Sequence, residues 1–144
     1  MNETGEVNIG VYRRVFEAVN KGDEAAFEDL LTEDVVDHNP IPGQRPGIEG
    51  FNDWLRYVHG AFPDVHVTVE EAISQGDRVA GRVTWRSTHE GPLAGLAGSG
   101  KRVEFSAIHI VRFEEGKAAE WWGVADLLGA LQQIGAQVSL KESG

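Results

Sequence analysis

The first half of the chain carries apolar residues at the spacing of amphipathic helices. They recur every three to five positions along a first helix that ends near Gly22: Val7, Val11, Tyr12, Val15, Phe16 and Val19. Asp23 predicts the N-cap of a short second helix. A third helix, stopped by Pro63, has its own set in phase: Ile48, Phe51, Leu55, Val58 and Phe62. The pattern therefore predicts three helices before the middle of the chain.

The second half alternates between apolar and polar residues, which is the pattern of β-strands. A first strand begins at Val65, and a long second strand begins at Arg78 after a turn at 75–77. Two further strands are predicted at 101–113 and 117–126. The helical half is thus followed by four successive strands.

The last two predicted strands form a hairpin that carries a histidine and two adjacent tryptophans. We expect a three-residue loop at 114–116, so that Phe113 pairs with Lys117 and His109 lies opposite Trp121. Because successive residues of a strand face opposite sides, only one of the two tryptophans can share a face with His109.

Helices followed by successive strands predict an α+β fold. The helices must cover one face of a curved antiparallel sheet, and we expect the inner face of that sheet to be wide enough for a ligand. Asp126 predicts the N-cap of a last short helix that ends at Gly135. The 144 residues are predicted to form a single domain, with a core over about 7–135 and a polar tail at 136–144.

The composition of the chain limits the classes of molecule that the protein is expected to bind. The formal net charge is -10 and no cluster of basic residues offsets it, which disfavours nucleic acid and anionic membrane surfaces. The absence of cysteine excludes disulfides and thiolate metal sites, and the five histidines show no ligand-like spacing with carboxylates. We therefore predict a small-molecule partner and neither metal nor cofactor. The start, MNETGEVNIG, lacks the basic and apolar segments of a secretory leader, which favours a cytoplasmic protein.

Five residues are candidates for catalysis. His109 lies among branched apolar residues and can titrate near neutrality, although a core histidine with a satisfied hydrogen bond is an alternative. Asp37, His38 and Asn39 directly precede a proline-rich loop, where they could act on a substrate or simply form a turn. Asp126 could act as a general base, but its position directly before the last helix favours an N-cap.

Five further residues are candidates for binding a substrate. Trp121 would pack on a planar molecule if it faces the cavity, and Trp54 and Tyr57 belong to the third predicted helix. His89 lies at the end of a strand, at the rim of the predicted pocket. Arg45, in the proline-rich loop, could steady a carboxylate or an enolate, or could be an ordinary surface arginine.

Several motifs between about Val7 and Gly135, taken in their order and spacing, resemble the SnoaL-like polyketide cyclase family. They are DHNP, PGQRPGIEGF, FPD, GDRVAGRVTWRSTHEG, GKAAEWWGVAD and LLGALQQIG. The resemblance implies the cone-shaped α+β barrel shared with nuclear transport factor 2 and ketosteroid isomerase. It also implies ring closure in an aromatic polyketide ester by intramolecular aldol condensation, without metal or cofactor. In that chemistry an aspartate takes a proton from carbon and a histidine lies nearby.

The resemblance also assigns positions in this chain. His109 matches the family's pocket histidine, and residues 37–39 match a polar position that lines the pocket. The family's catalytic aspartate falls at Gly123, and Asp126, the nearest carboxylate downstream, matches a different family position. The expected acid is therefore missing from its usual place.

Three functional hypotheses stay open at this point. The first is proton abstraction next to a carbonyl, with Asp37 or His109 as the base and Asn39 or His38 stabilising the enolate oxygen. The second is hydroxylase or isomerase chemistry on the same scaffold. The third is a non-catalytic pocket or dimerisation module, which the glycine at position 123 favours. In each case we expect a homodimer formed through the outer residues of the long strands.

Overall fold

Helices and one five-stranded sheet build residues 2–141, the part of the chain that the computed structural model describes. The helices are α1 (Glu3–Lys21), α2 (Phe27–Leu30), α3 (Gly47–Ala61) and α4 (Leu127–Gln133), with a 3₁₀ turn at Glu24–Ala26. The strands are β1 (Leu31–Asp37), β2 (His66–Gln75), β3 (Arg78–Thr88), β4 (Arg102–Glu114) and β5 (Lys117–Ala125). The predicted α+β fold is confirmed. In this part of the chain, no helix combines the length and the apolar character needed to cross a membrane.

The ends of α1 are fixed by residues that satisfy its free backbone groups. Asn2 is the N-cap, and its side-chain oxygen accepts a hydrogen bond from the backbone N–H of Gly5 at 2.8 Å. Gly22 ends the helix with a φ of 68°, the left-handed conformation that glycine adopts readily. Near this end, the Asn20 amide exchanges two hydrogen bonds with the backbone of Val67, at 2.7 and 3.0 Å. These bonds tie α1 to the edge strand β2.

The strands are arranged in the order β1-β5-β4-β3-β2. All neighbours are antiparallel except β1, which pairs with β5 in parallel and was not among the predicted strands. Only Leu31 and Val35 are buried in this edge strand, and acidic residues lie between and after them. The sequence of β1 therefore lacks a clear alternation of apolar and polar residues. The parallel pairing brings Asp37 beside Trp121, so residues far apart in the sequence meet at one end of the sheet.

The turn between β4 and β5 is shorter than predicted. It consists of residues 115–116, whose φ angles of 48° and 80° are both positive, as a type I′ turn requires. Lys117 consequently pairs with Glu114. The predicted pairing of Lys117 with Phe113 was wrong because the sequence pattern favoured a three-residue loop.

A bulge at Ala119 in β5 shifts the pairing of β4 with β5 by one more residue. As a result His109 lies opposite Gly123, and Trp121 lies opposite Val111. The predicted pairing of His109 with Trp121 was therefore also wrong. Both side chains nevertheless point to the inner face of the sheet, as expected, because each is buried there.

Burial alternates strictly along β3, which defines the inner face of the sheet. The buried positions are Val79, Gly81, Val83, Trp85 and Ser87. The arginines of the same strand lie on the opposite, outer face. The hydrophobic core lies between the inner face and the buried sides of α1 and α3.

Candidate functional site

An apolar cavity of about 460 Å³ lies between the inner face of the sheet and helices α1 and α3. Its aromatic lining comes from all of these elements: Phe16, Phe51, Trp54, Tyr57, Phe62, Trp85, Phe105 and Trp121. Trp85 and Phe105 stack with their planes 10° apart, and Trp54 meets Trp85 edge-on at 88°. Three predicted binding residues, Trp121, Trp54 and Tyr57, thus line one cavity. Its flat walls suit a planar apolar molecule.

His109 projects from β4 into this cavity and is 8% exposed. Its Nδ1 lies 2.8 Å from the hydroxyl oxygen of Tyr12 on α1. Its ring packs against Phe16 and Trp121, with centroid distances of 5.3 and 5.2 Å. Burial lowers the pKa of His109 to about 4, so the ring is neutral at pH 7. The expectation that this histidine titrates near neutrality is corrected by its burial.

Two glycines flank His109 in the sheet, Gly81 on β3 and Gly123 on β5. A Cβ atom at Gly81 would lie 2.3 Å from the Tyr12 hydroxyl oxygen, so glycine is what leaves room for the phenol. A Cβ atom at Gly123 would lie 2.7 Å from Cδ2 of His109 and 3.5 Å from its Nε2. Within residues 2–141, Nε2 makes no hydrogen bond to the protein. The Nε2 edge of the imidazole is therefore open to a ligand.

Asp37 and Asn39 reach the same cavity from the end of β1. The Asp37 carboxylate accepts hydrogen bonds from the backbone N–H of Asn39 and from Nε2 of Gln44, both at 2.9 Å. The side-chain oxygen of Asn39 accepts a hydrogen bond from the backbone N–H of Gly123 at 3.0 Å. The two side chains thus shape a turn and also line the cavity. Asp37 is the only carboxylate among the described lining residues.

Gln44 holds the loop that carries Asp37. Its backbone N–H donates to the carbonyl of Ile41 at 3.1 Å, and its side-chain oxygen accepts from the N–H of Ile41 at 3.1 Å. A Cβ atom at Gly50 would lie 1.8 Å from the carbonyl oxygen of Arg45, so the loop packs directly on the first turn of α3. Gln44 was not predicted as a site residue. The rigid loop around it was the available signal.

Two candidate residues lie outside the cavity. His38 stacks on Trp122 at the outer face, with the ring centroids 4.4 Å apart and the planes 4° apart. Its Nε2 lies 3.1 Å from Oε1 of Glu120. Asp126 is the N-cap of α4, and its Oδ1 accepts a hydrogen bond from the backbone N–H of Gly129 at 2.9 Å. The structure does not bring either residue to His109.

Arg45 is also outside the cavity. Its guanidinium group donates to both oxygens of Asp53, at 2.8 and 2.9 Å, and to Glu49 at 3.3 Å. The hydrogen bonds from Arg45 lower the pKa of Asp53 to about 2. Arg45 thus has the surface role given above as its alternative.

The cavity mouth is crossed by the loop that follows β3. Tyr57 lies at this mouth, and its hydroxyl oxygen accepts a hydrogen bond from the backbone N–H of Ala94 at 2.8 Å. His89 is fully buried beneath the loop, and its Nδ1 accepts a hydrogen bond from the backbone N–H of Ser99 at 3.2 Å. His89 therefore holds the loop in place and does not line the pocket rim, where the sequence placed it.

Tyr12 is a site residue that was not singled out from the sequence, where it counted only as part of the apolar stripe of the first helix. It is fully buried, and burial raises the pKa of its hydroxyl, so the phenol keeps its proton. A buried tyrosine needs a hydrogen-bond partner, which was the one available signal.

The SnoaL-like polyketide cyclase family matches residues 9–134 of this chain. Aklanonic acid methyl ester cyclase DnrD of Streptomyces peucetius is 30% identical over 135 residues, which cover 88% of this chain and 90% of that protein. Aklanonic acid methyl ester cyclase DauD of Streptomyces sp. (strain C5) is 29% identical over 135 residues, covering 88% and 81%.

The comparison of structures agrees with the comparison of sequences. TsrD from Streptomyces laurentii superposes with a TM-score of 0.86 at 27% identity, over 95% of this chain and 99% of that chain. The predicted resemblance and the curved sheet that it implied are therefore confirmed. The family match spans α3 and all five strands, which together carry most of the cavity. On these grounds, the chain belongs to the SnoaL-like polyketide cyclase family.

Proposed function

We propose that this protein is a cyclase that closes a ring in an uncharged, planar polyketide ester by an intramolecular aldol reaction. A base removes a proton from a carbon next to a carbonyl, and the enolate carbon attacks a second carbonyl carbon of the same molecule. The new alkoxide oxygen takes a proton back, so the reaction is balanced without an oxidant or a reductant. The convergence of Asp37, Asn39 and His109 on one aromatic cavity carries this proposal.

Asp37 is the base in this proposal. Each oxygen of its carboxylate accepts one hydrogen bond, which leaves further lone pairs to take a proton. Those bonds come from Asn39 and Gln44, which hold the carboxylate in a fixed orientation. Because position 123 is glycine, Asp37 is the carboxylate in the described lining that can replace the aspartate implied by the resemblance.

His109 and Asn39 bind the oxygen on which negative charge develops. The Asn39 side-chain oxygen is already occupied by the N–H of Gly123, so its NH₂ group is the part left for a ligand. The His109 ring has its Nε2 edge open to the cavity. Fixed polar groups aimed at a developing oxyanion stabilise the transition state more than the bound substrate.

The cavity lining indicates the substrate class. The described lining residues include no lysine or arginine that could pair with a free carboxylate or a phosphate. The formal net charge of -10 also disfavours anionic molecules. An ester with a flat ring system fits the aromatic walls. Because DnrD and DauD are named for aklanonic acid methyl ester, that ester is the first substrate to test.

The test is turnover of this ester by the wild-type protein and by Asp37→Asn. The product has the mass of the substrate, so chromatography and NMR must identify the new ring. We expect Asp37→Asn to lower kcat by about 10²–10⁴-fold, the usual contribution of a general base. Asp34→Asn is the matched control, because Asp34 lies on the same strand but does not line the cavity. Equal turnover by wild type and Asp37→Asn would remove Asp37 from the mechanism.

Binding without turnover is a second candidate function, and the glycine opposite His109 favours it. Without a carboxylate beside the imidazole, the cavity could hold an ester and leave it unchanged. Titration with the same ester, followed by tryptophan fluorescence, separates the two functions. Saturable quenching with no product after long incubation supports binding alone.

We also propose a homodimer formed through the outer face of the sheet. An apolar row crosses four strands there, from Ile73 through Ala80 and Ile110 to Trp122. Ile73 is 68% exposed and Ile110 is 45% exposed. Contiguous exposed apolar patches mark interaction sites, and a two-fold contact with a second copy covers such a patch on both chains.

A further inference from the structure

Tyr12 and His109 form a buried hydrogen bond, and the proposed function does not specify which of the two residues is the donor. The Tyr12 hydroxyl oxygen lies 2.8 Å from His109 Nδ1, and Tyr12 is 0% exposed. Within residues 2–141, this hydroxyl has no other hydrogen-bond partner. A neutral imidazole has one protonated and one unprotonated nitrogen, so this contact determines which nitrogen faces the cavity with a proton.

Only one direction of this hydrogen bond satisfies both the Tyr12 hydroxyl and Nδ1 of His109. If Nδ1 carried the proton and donated it to the phenol, the Tyr12 O–H would be left in the core without an acceptor. A buried donor without a partner is unfavourable, whereas a hydroxyl that donates to Nδ1 is satisfied. Tyr12 is therefore the donor, Nδ1 of His109 is the acceptor, and the single ring proton lies on Nε2.

We propose that Tyr12 is a positioning residue that fixes His109 in the Nε2–H tautomer, so that His109 donates a hydrogen bond to the substrate oxygen and does not act as the base. The tautomer itself follows from the contacts of the two residues. The catalytic consequence rests on the proposed function and leaves proton abstraction to Asp37.

The surroundings of the ring support this assignment. His109 packs against Tyr12 and Phe16 from α1 and against Trp121 from β5, and none of these side chains is charged. Burial lowers the pKa of His109 to about 4 and raises the pKa of Tyr12, so both groups are neutral at pH 7. On β3, the neighbour of His109 is Gly81, which has no side chain to compete for either nitrogen. Asp37 is the titratable group that reaches the same cavity from β1.

The first measurement is the tautomer of His109 in the full-length protein. Uniform ¹⁵N labelling and two-bond ¹H–¹⁵N correlation spectra distinguish a protonated from an unprotonated imidazole nitrogen. The variant His109→Gln identifies the His109 signals by their loss. We expect a protonated Nε2 and an unprotonated Nδ1 at pH 7, and a protonated Nδ1 would overturn the proposal.

The second measurement is the direction in which Tyr12→Phe moves the His109 pKa. A phenol that donates to Nδ1 stabilises only the neutral ring, so its removal must raise the His109 pKa. If Nδ1–H were the donor, the bond would also stabilise the charged ring, and its removal would lower the pKa. An upward shift with a mixture of tautomers therefore supports the proposal, and a downward shift refutes it.

The chain offers a matched control, because Tyr57 is its only other tyrosine and also lines the cavity. Tyr57→Phe removes one hydroxyl without touching His109, so the His109 signals should not move. If Tyr12→Phe fails to fold, the wild-type tautomer still decides the proposal. These spectra need no substrate, so a protein that turns over no ester can still show the Nε2–H tautomer. Turnover combined with a protonated Nδ1 would instead support His109 as the base.

Discussion

The phenol of Tyr12 lies directly over Gly81, where an added Cβ atom would come within 2.3 Å of the hydroxyl oxygen. Gly81 is also the β3 neighbour of His109. The glycine therefore creates the space in which the phenol meets the imidazole. This relationship connects the packing of α1 on the sheet to the chemistry of the cavity.

Gly81→Ala should destabilise the protein by about 1–3 kcal/mol, the usual cost of inserting a methyl group into a packed core. Chemical denaturation followed by circular dichroism measures this change. Gly10→Ala is the control, because a Cβ atom there meets nothing within 4 Å. Gly10 lies within α1, where alanine should be neutral or should stabilise the protein by up to about 1 kcal/mol. A Gly81→Ala protein as stable as wild type would contradict the close contact.

Protonation of His109 should make the protein less stable in mild acid. Its pKa falls from 6.5 to about 4 on burial, so between these values the unfolded chain binds a proton that the folded chain does not. The stability present above pH 6.5 is therefore lost progressively as pH falls towards 4, by about 3 kcal/mol in total.

Denaturation curves at several pH values test this loss. The variant His109→Gln cannot show the His109 contribution, so its stability should fall less steeply over the same range. His66→Gln is the control, because His66 is exposed and the variant keeps His109. Identical pH dependence in wild type and His109→Gln would exclude His109 as the source.

Removing either of two neighbouring side chains that follow β1 should have very different effects on turnover. Asn39 lines the cavity, whereas His38 stacks on Trp122 at the outer face. Asn39→Ala should lower kcat/KM for the ester by about 10–10³-fold, because a fixed hydrogen-bond donor to the oxyanion is lost. His38→Ala should change it less than about twofold. Steady-state kinetics decides, and a larger loss in His38→Ala would contradict the geometry.

A charge on the outer face of the sheet should separate the proposed homodimer. Ile108 and Val124 are paired across β4 and β5 and are 57% and 74% exposed. Ile108→Glu should weaken self-association by at least about tenfold, because two copies would bring like charges into an apolar contact. Sedimentation velocity measures the change. Val7→Glu makes the same kind of change at an exposed position of α1 and should leave association unaltered. A monomeric wild type would refute the dimer.

The sequence predicted the fold well because most of its elements have strong local signals. The apolar stripes of α1 and α3 and the alternation in β3 each survive in the structure with the expected buried face. The edge strand β1 was missed because it buries only two residues and because three of its seven residues are acidic. Its pairing with β5 is parallel and long-range, so no hairpin turn in the sequence indicates that the two strands pair.

The site was less predictable because its geometry depends on contacts between distant elements. The cavity position of His109 follows from strand alternation, but its partner Tyr12 is 97 positions away. Likewise, adjacent residues Asp37 and His38 look equivalent in the sequence, and only the parallel pairing of β1 sends one inward and the other outward. The packing of Tyr12 and Phe16 on the ring, which completes the burial that lowers the pKa of His109, is also not visible in a local pattern.

The extra residue at Ala119 determines which side of β5 forms the back of the cavity. If Ala119 instead paired with Arg112 as a regular strand residue, the alternation would be inverted from Glu120 onwards, and the side chains of Glu120 and Trp122 would turn towards the helices. Trp121 would then face the solvent. A strand that kept Ala119 but lost the bulge would thus exchange the wall of the cavity for the surface on which a second copy is proposed to sit, so one local irregularity of β5 supports both faces.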